Sequence, residues 1–330
     1  MEPFNILISS AGRRVALLRI FREALRALGI PGRVLAADMS ATSGAYHAAD
    51  DSWQVPSCTR PDFVPEVLDL CRRERIRLIV PTIDTELPVY SAHRDEFASV
   101  NAVAAVSSPE VIAIGNDKVR THDWLVQHGF PTVRQTLLED VLAGDARDWS
   151  FPLIAKPRFG SASIGVRRIE HLEQLRALPR QADYVVQAVA PGNEYTIDVL
   201  VDFEGRCLCA VPRKRLEVRA GEVSKGMTER QQSLVTLGSR LAEALPGAYG
   251  ALNVQVFWDH DTQAANVIEI NPRFGGGFPL TWQAGGRYPQ WIIEEILGRP
   301  STASSGEWSD RLLMLRFDDA IFIPAALAGL

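Results

Sequence analysis

Short apolar runs separated by longer stretches of helical periodicity open the chain. Residues 5–9 (Asn-Ile-Leu-Ile-Ser) read as a strand, 13–28 as an amphipathic helix, and 34–37 as a second strand. Residues 62–74 and 86–97 predict helices, and 78–80 and 103–106 strands. Such alternation predicts a parallel, doubly wound α/β sheet whose ligand crevice lies at the carboxyl ends of its strands. Ser9-Ser10-Ala11-Gly12-Arg13 and Pro81-Thr82-Ile83-Asp84-Thr85-Glu86 fall there.

The rhythm changes after Ser107-Ser108-Pro109. Helical patterns cover 109–115 and 118–128, and from Phe151 onward strands dominate, at 154–156, 165–169, 184–187, 194–203 and 206–218. A helix at 231–245 precedes strands at 249–258 and 264–271, joined by the turn Asp259-His260-Asp261-Thr262. A last helix is predicted at 288–297, a flexible linker at 300–306, and a strand pair or edge segment at 312–323. Strands that follow one another directly point to α+β architecture in this half.

At 330 residues the chain has room for two or three domains, and 46% apolar with 23% charged residues is ordinary for a soluble globular protein. A formal charge of −5 argues against a general nucleic-acid or anionic-membrane surface, while leaving room for a local basic pocket. No apolar run approaches the roughly 20 residues of a membrane helix. The first strand leads directly into a helix, without a signal-peptide pattern. Of four cysteines, Cys207 and Cys209 are spaced for one strand face and lack zinc spacing, so structural roles and a reducing, cytoplasmic location are expected. None of the six histidines has a recognisable catalytic spacing.

Four blocks carry candidate chemistry. In Val267-Ile268-Glu269-Ile270-Asn271-Pro272-Arg273-Phe274-Gly275-Gly276-Gly277 a strand places Glu269, Asn271 and Arg273 on one face before a glycine-rich turn. Two oxygen ligands beside a guanidinium suit a magnesium ion on nucleotide phosphates; a strand with polar residues at its solvent edge fits equally. In the second block, Lys156 ends a strand and the small-residue loop Phe159-Gly160-Ser161-Ala162-Ser163-Ile164-Gly165 follows, compatible with a flap over phosphates or with a plain hairpin. Val166-Arg167 stands where a P-loop requires Lys-Ser/Thr, so a P-loop is rejected. Third, Gln187-Ala188-Val189 forms a short connector whose backbone could meet an adenine edge, with Glu194 beyond it as a ribose acceptor or a solvated strand end. Fourth, Asn253 and Gln255 share one face of the strand before Glu269, where Gln255 could complete an oxygen set or make structural hydrogen bonds.

These blocks, in this order over residues 4–298, resemble the ATP-grasp superfamily, most closely the branch related to one half of the large chain of carbamoyl-phosphate synthetase, with the pyrrolysine-biosynthesis ligase and natural-product amino-acid ligases nearby. The resemblance implies a Rossmann-like preATP-grasp domain (1–108) followed by an ATP-grasp fold of two α+β subdomains (109–298, divided at 190/191), leaving 299–330 as linker and terminal strand segment. It implies ATP and Mg²⁺ as cofactors, with Mn²⁺ able to substitute. Lys118 and Lys156 match positions that contact the nucleotide, Phe159, Gly160, Ser161, Ser163 and Gly165 the mobile loop, Gln187, Ala188 and Val189 the adenine hinge, and Glu194 the ribose acid. Gln255, Glu269 and Asn271 match metal ligands, and Arg273 the cation that, with Lys156, assists catalysis. Gln255 departs from the more common acid at the first metal position, and Ser161-Ala162-Ser163 from a more glycine-rich loop.

The implied activity is a carboxylate–amine ligase that forms an acyl-phosphate and releases ADP and phosphate, acting on an amino acid or other small carboxylate. Gly275 and Gly276 lie where the family holds the carboxylate. Arg213, Lys214, Arg215 and Lys225 are candidate clamps or a solvated basic strand. Asp84 and Glu86 are candidates to bind an amine, Glu86 alternatively to stabilise a helix N-terminus. A homodimer is compatible, with no nucleic-acid or membrane partner. One ATP-grasp unit without a glutaminase region argues against carbamoyl-phosphate synthesis itself. The alternatives are an ATP sensor without turnover and a dinucleotide-dependent oxidoreductase built on Gly12 and Asp38; the latter lacks the glycine trio.

Overall fold

The computed structural model describes residues 2–144, 148–161, 163–179, 183–219 and 221–330; Ala162 of the predicted phosphate loop lies outside them. Strands β1 (Asn5–Ser9), β2 (Val34–Asp38), β3 (Ser52–Gln54), β4 (Ile76–Pro81) and β5 (Val103–Ala104) form a parallel sheet in the order β3-β2-β1-β4-β5. The order reverses at β1, so the carboxyl ends of β1 and β4 open a crevice. Asp84 and Glu86 follow β4 there.

Helix Val15–Ala27 buries Leu17, Leu18, Ile20, Phe21, Ala24 and Leu25 on one stripe. It stops where Gly29 takes a left-handed φ of 64° and the amides of Gly29 and Ile30 bond back to the carbonyls of Arg26 and Leu25. Burial of Leu18 and Phe21 contributes about 1.5–3 kcal/mol each. The same stripe joins a core containing Phe274, Phe278, Trp282 and Trp291, with Phe21 and Phe274 edge to face at 5.7 Å. This helix therefore clamps the glycine-rich turn against the parallel sheet.

The second half holds two antiparallel sheets. Strands β6 (Gln135–Leu137), β7 (Leu153–Pro157), β8 (Arg167–Ile169) and β9 (Tyr184–Ala188) run in the order β6-β9-β7-β8. Strands β10 (Asn193–Val201), β11 (Cys207–Arg219), β12 (Glu222–Thr228), β13 (Gly250–Trp258), β14 (Ala265–Asn271) and β15 (Leu313–Leu315) run in the order β14-β13-β10-β11-β12-β15. On β10, Tyr195, Ile197, Val199 and Val201 enter a core with Leu234, Leu241 and Ala242 of helix Gln232–Ala244. Gly238 is required in that helix because a Cβ would stand 2.7 Å from Ile197. Thr196 and Asp198 lie on the other face, where the buried Asp198 holds Arg213 of β11.

Several local expectations change. The helix predicted at 86–97 is two, Leu87–Ala92 and Arg94–Ser99, broken at His93. Strands β3, β6 and β12 and helices Gly44–Ala48, Leu138–Ala143, Leu172–Arg176 and Phe278–Ala284 have no counterpart among the predicted elements. Segment 300–306 is tied down instead of forming a flexible linker. Thr302 bonds the Glu294 carboxylate, Arg230 donates to the carbonyls of Gly306 and Trp308, and Trp308 is buried. Of the strand pair or edge segment predicted at 312–323, the edge alternative forms: β15 pairs with β12 at the end of the sheet. A register shift in β11 sends Cys209 into the core beside Val211 and Phe274 and Cys207 toward Val201 and Leu241, so the two do not share a face. Among the described residues no helix is long and apolar enough to cross a membrane.

Candidate active site

The β13–β14 hairpin fixes the centre of the site. Its turn forms as expected, with the Asp259 carboxylate accepting the amides of Asp261 and Thr262. Gln255 then pairs with Glu269, and Asn253 with Asn271. Between Val267, opposite Val256, and Glu269, opposite Gln255, Ile268 is an extra residue. This bulge lets Val267 and Ile270 both enter the core, while Ile268 and Glu269 line a cavity. Thr196 lies opposite both Gln255 and Arg213, so one row across the sheet reads Arg213, Thr196, Gln255, Glu269.

A cavity of about 350 Å³ separates this face from the sheet of β7 and β9. Ile154 and Ile268 supply apolar walls; Lys118, Lys156, Gln187, Val189, Glu194, Gln255 and Glu269 supply polar or edge groups. Lys156 is only 7% exposed. Burial, countered by the Glu269 charge, lowers its ammonium to about 8. The side chains of Lys156, Gln255, Glu269 and Asn271 make no hydrogen bond among the described residues. They thus present an ammonium and three oxygen donors to the two cavities, a set suited to phosphate and a hard divalent cation. Burial raises the Glu194 carboxyl despite Arg215, whose Nε lies 3.1 Å away.

The predicted phosphate loop is anchored at its start. Arg158 makes a bidentate pair with Asp117 at 2.8 and 2.6 Å, and Lys118 Nζ donates to the Gly160 carbonyl at 2.8 Å. At the predicted hinge, the Gln187 side chain donates through Nε2 to Gln135 Oε1, and the Ala188 N–H donates to the Arg134 carbonyl. Those donors are occupied, and Val189, beyond the strand, lines the cavity.

A larger cavity of about 540 Å³ adjoins the first through Gly160, Ser161, Ser163, Gln255 and Glu269. Arg14, Asp84, Arg213, Arg215, Glu222, Asn271, Arg273 and Gly275–277 line it. Arg213, 2% exposed, is held by Asp198 through Nε and Nη2 at 2.7 and 2.8 Å, and its Nη1 has no partner. A Cβ at Gly277 would collide with that Nη1, and one at Gly276 would stand 2.8 Å from the Glu222 carboxylate. Glycine at this turn therefore permits close approach of charged side chains. Glu222 gathers Arg14 at 3.2 Å and Arg316 at 3.0 Å; burial raises its carboxyl, but these cations hold it below the usual range.

Arg273 Nε and Nη2 donate to the two Asp84 carboxylate oxygens at 2.5 and 2.8 Å. Burial raises the Asp84 carboxyl, yet the bonds and charge of Arg273, with Ser161 and Arg14, bring it below its ordinary value. Glu86 is fully buried and accepts Ser9, Ser10 and the amides of Thr82 and Ile83. It fastens the ends of β1 and β4, and neither cavity reaches it, which corrects the expectation of an amine contact. Lys225 pairs with Glu217 at 2.6 Å on the exposed side of β12 and lines neither cavity. Lys214 lies beside the Tyr195 ring, outside both cavities. Asp38 bonds the amides of Gly12 and Ser40, so the acid of the oxidoreductase alternative serves its own turn. Thr82 and Thr85 line the larger cavity from the segment predicted at the crevice, whereas Arg14 and Glu222 line it without a sequence signal that singles them out.

A family model described as PylC-like, N-terminal domain, matches residues 6–105, and one described as ATP-grasp in the biosynthetic pathway with Ter operon matches 180–318. Carnosine synthase 1 of Gallus gallus is 30% identical over 175 residues, which are 44% of this chain and 18% of that protein. D-alanine–D-alanine ligase of Corynebacterium efficiens is 25% identical over 187 residues, 51% of this chain and 52% of that enzyme. The chain thus spans about half or less of these relatives. The biotin carboxylase domain of Hydrogenobacter thermophilus 2-oxoglutarate carboxylase, solved with MgADP, ADP and bicarbonate, superposes with a TM-score of 0.72 at 18% identity, covering 95% of this chain and 74% of that one. An ADP complex of N5-carboxyaminoimidazole ribonucleotide synthetase gives 0.73 at 16% identity, covering 95% and 81%. At these identities the structural likeness establishes the fold.

Proposed function

From the premise that the chain belongs to the ATP-grasp superfamily, we propose that it is an ATP-dependent ligase joining a small carboxylate to an amine. The observation that carries this reading is the convergence of Lys156, Gln255, Glu269 and Asn271, side chains without internal partners, where the smaller cavity opens into the larger. Adenine would lie between Ile154 and Ile268 near Gln187, Ala188 and Val189, with Glu194 at the ribose. Lys118, Lys156 and the loop residues Phe159, Gly160, Ser161, Ser163 and Gly165 would hold the phosphates. Gln255, Glu269 and Asn271 would hold Mg²⁺ or Mn²⁺, which when bound supplies charge neutralisation at the phosphates.

The carboxylate would occupy the larger cavity, beside Gly275 and Gly276 and within reach of Arg213, Arg215 and Arg273. Its oxygen attacks the γ-phosphorus of ATP as the bond to the bridging oxygen breaks, giving ADP and an acyl-phosphate. An amine then attacks the acyl carbon, phosphate leaves with the former carboxylate oxygen, and the amine loses a proton. The protein's part is alignment and charge stabilisation, with Lys156 and Arg273 as the cations nearest the transfer. The test is ADP release from Mg·ATP that requires a carboxylate and an amine and depends on Glu269.

A further inference from the structure

The ion pair between Asp84 and Arg273 stands apart from the other charges of the larger cavity. Asp198 and Arg213 are 3% and 2% exposed and form a fixed wall. Glu222 bridges Arg14 and Arg316 at the rim. Asp84 and Arg273 are 21% and 13% exposed, come from residues 189 apart in sequence, and face the cavity with both guanidinium edges Nε and Nη2 turned toward the carboxylate. A monoanionic ligand that takes Arg273 must compete with Asp84, and its arrival leaves a carboxylate desolvated beside a second anion. A ligand bearing both an anion and a cation replaces the pair on both sides.

Resting on the ligase reading, we propose that Asp84 is the specificity-determining residue of the larger cavity, pairing with an ammonium group carried by the substrate whose carboxylate takes Arg273. The pair in this structure occupies the positions of such a zwitterion: Asp84 holds Arg273 until the ligand's two charges exchange with it. Asp84 is supplied by the turn after β4, so the parallel sheet contributes directly to substrate choice. Ser161 of the predicted phosphate loop lines both this cavity and the smaller one, so the exchange takes place beside the nucleotide side.

The experiment measures ADP release by the full chain with Mg·ATP, ammonium chloride and methylamine, offered either the twenty common amino acids or the matching set of carboxylates lacking the α-amino group. The wild type should respond roughly 10- to 100-fold more strongly to the amino acids, the range for a hydrogen bond to a charged group. In Asp84→Asn the preference should collapse toward one, and Asp84→Glu should restore part of it. Unchanged ATP affinity in both variants establishes that they fold. Equal response of the wild type to both sets, or full preference retained in Asp84→Asn, overturns the proposal while leaving the ligase reading intact. No ADP from either set, with ATP bound, removes the ligase reading and this proposal with it.

Discussion

Nucleotide binding should draw a proton onto Lys156 near pH 8. Its ammonium is buried between two sheets without a hydrogen-bond partner among the described residues, and that burial lowers it from 10.5 to about 8. About half of the free protein therefore carries a neutral Lys156 at pH 8, and about a tenth at pH 7. Phosphate oxygens beside the amine favour the charged form, so binding should take up about half a proton at pH 8 and about 0.9 at pH 9. Calorimetric titration of Mg·ATP in buffers of different ionisation enthalpy reads this number directly, and Lys156→Met should remove the uptake. The same shift acts on stability. Below pH 8 both folded and unfolded chains hold the proton and the burial penalty, about 3 kcal/mol, is fully present. Between pH 8 and 10.5 the unfolded chain holds more protons, so this contribution to stability improves as pH rises. Binding at pH 8 without buffer dependence, or with equal uptake in Lys156→Met, would refute the placement of phosphate at this lysine.

Two further substitutions separate the cavity wall from the outer surface. Arg213→Met leaves the Asp198 carboxylate buried with the Thr281 hydroxyl as its side-chain partner, and should cost about 3–5 kcal/mol in urea unfolding, much of it recovered in Arg213→Met/Asp198→Leu; a single variant as stable as wild type contradicts the buried-pair account. Lys225→Ala should leave ADP release within about twofold of wild type, because its pair with Glu217 is a solvated one on the outer side of β12; a large loss of turnover would place Lys225 in the cleft after all.

Much of this architecture was legible because it rests on short-range rules. The alternation of strand and helix in the first hundred residues gives the parallel sheet, and an apolar hairpin with turn residues at 259–262 sets Gln255 opposite Glu269. The bulge at Ile268 was not legible: a period-two reading carries Glu269 onto the cleft face but cannot foresee that Ile268 joins it. Strand β12 carries no such signal, because Glu-Val-Ser-Lys-Gly-Met-Thr lacks a continuous apolar face and its partners across the sheet decide its form. Position in the chain alone suggests Glu86 and Lys225 for the site, but burial claims the first and Glu217 the second. Arg14 and Glu222 are brought to the larger cavity by tertiary packing, which no local pattern encodes.

The central claim is that this cleft couples ATP cleavage to ligation through the Glu269 ligand set. The most direct measurement is ADP and phosphate release from Mg·ATP with pooled amino acids and small carboxylates, wild type beside Glu269→Ala. Pool-dependent release of equal ADP and phosphate is expected, abolished in the variant while its fold is retained. AMP and pyrophosphate as products, or unchanged ADP release from Glu269→Ala, would contradict it.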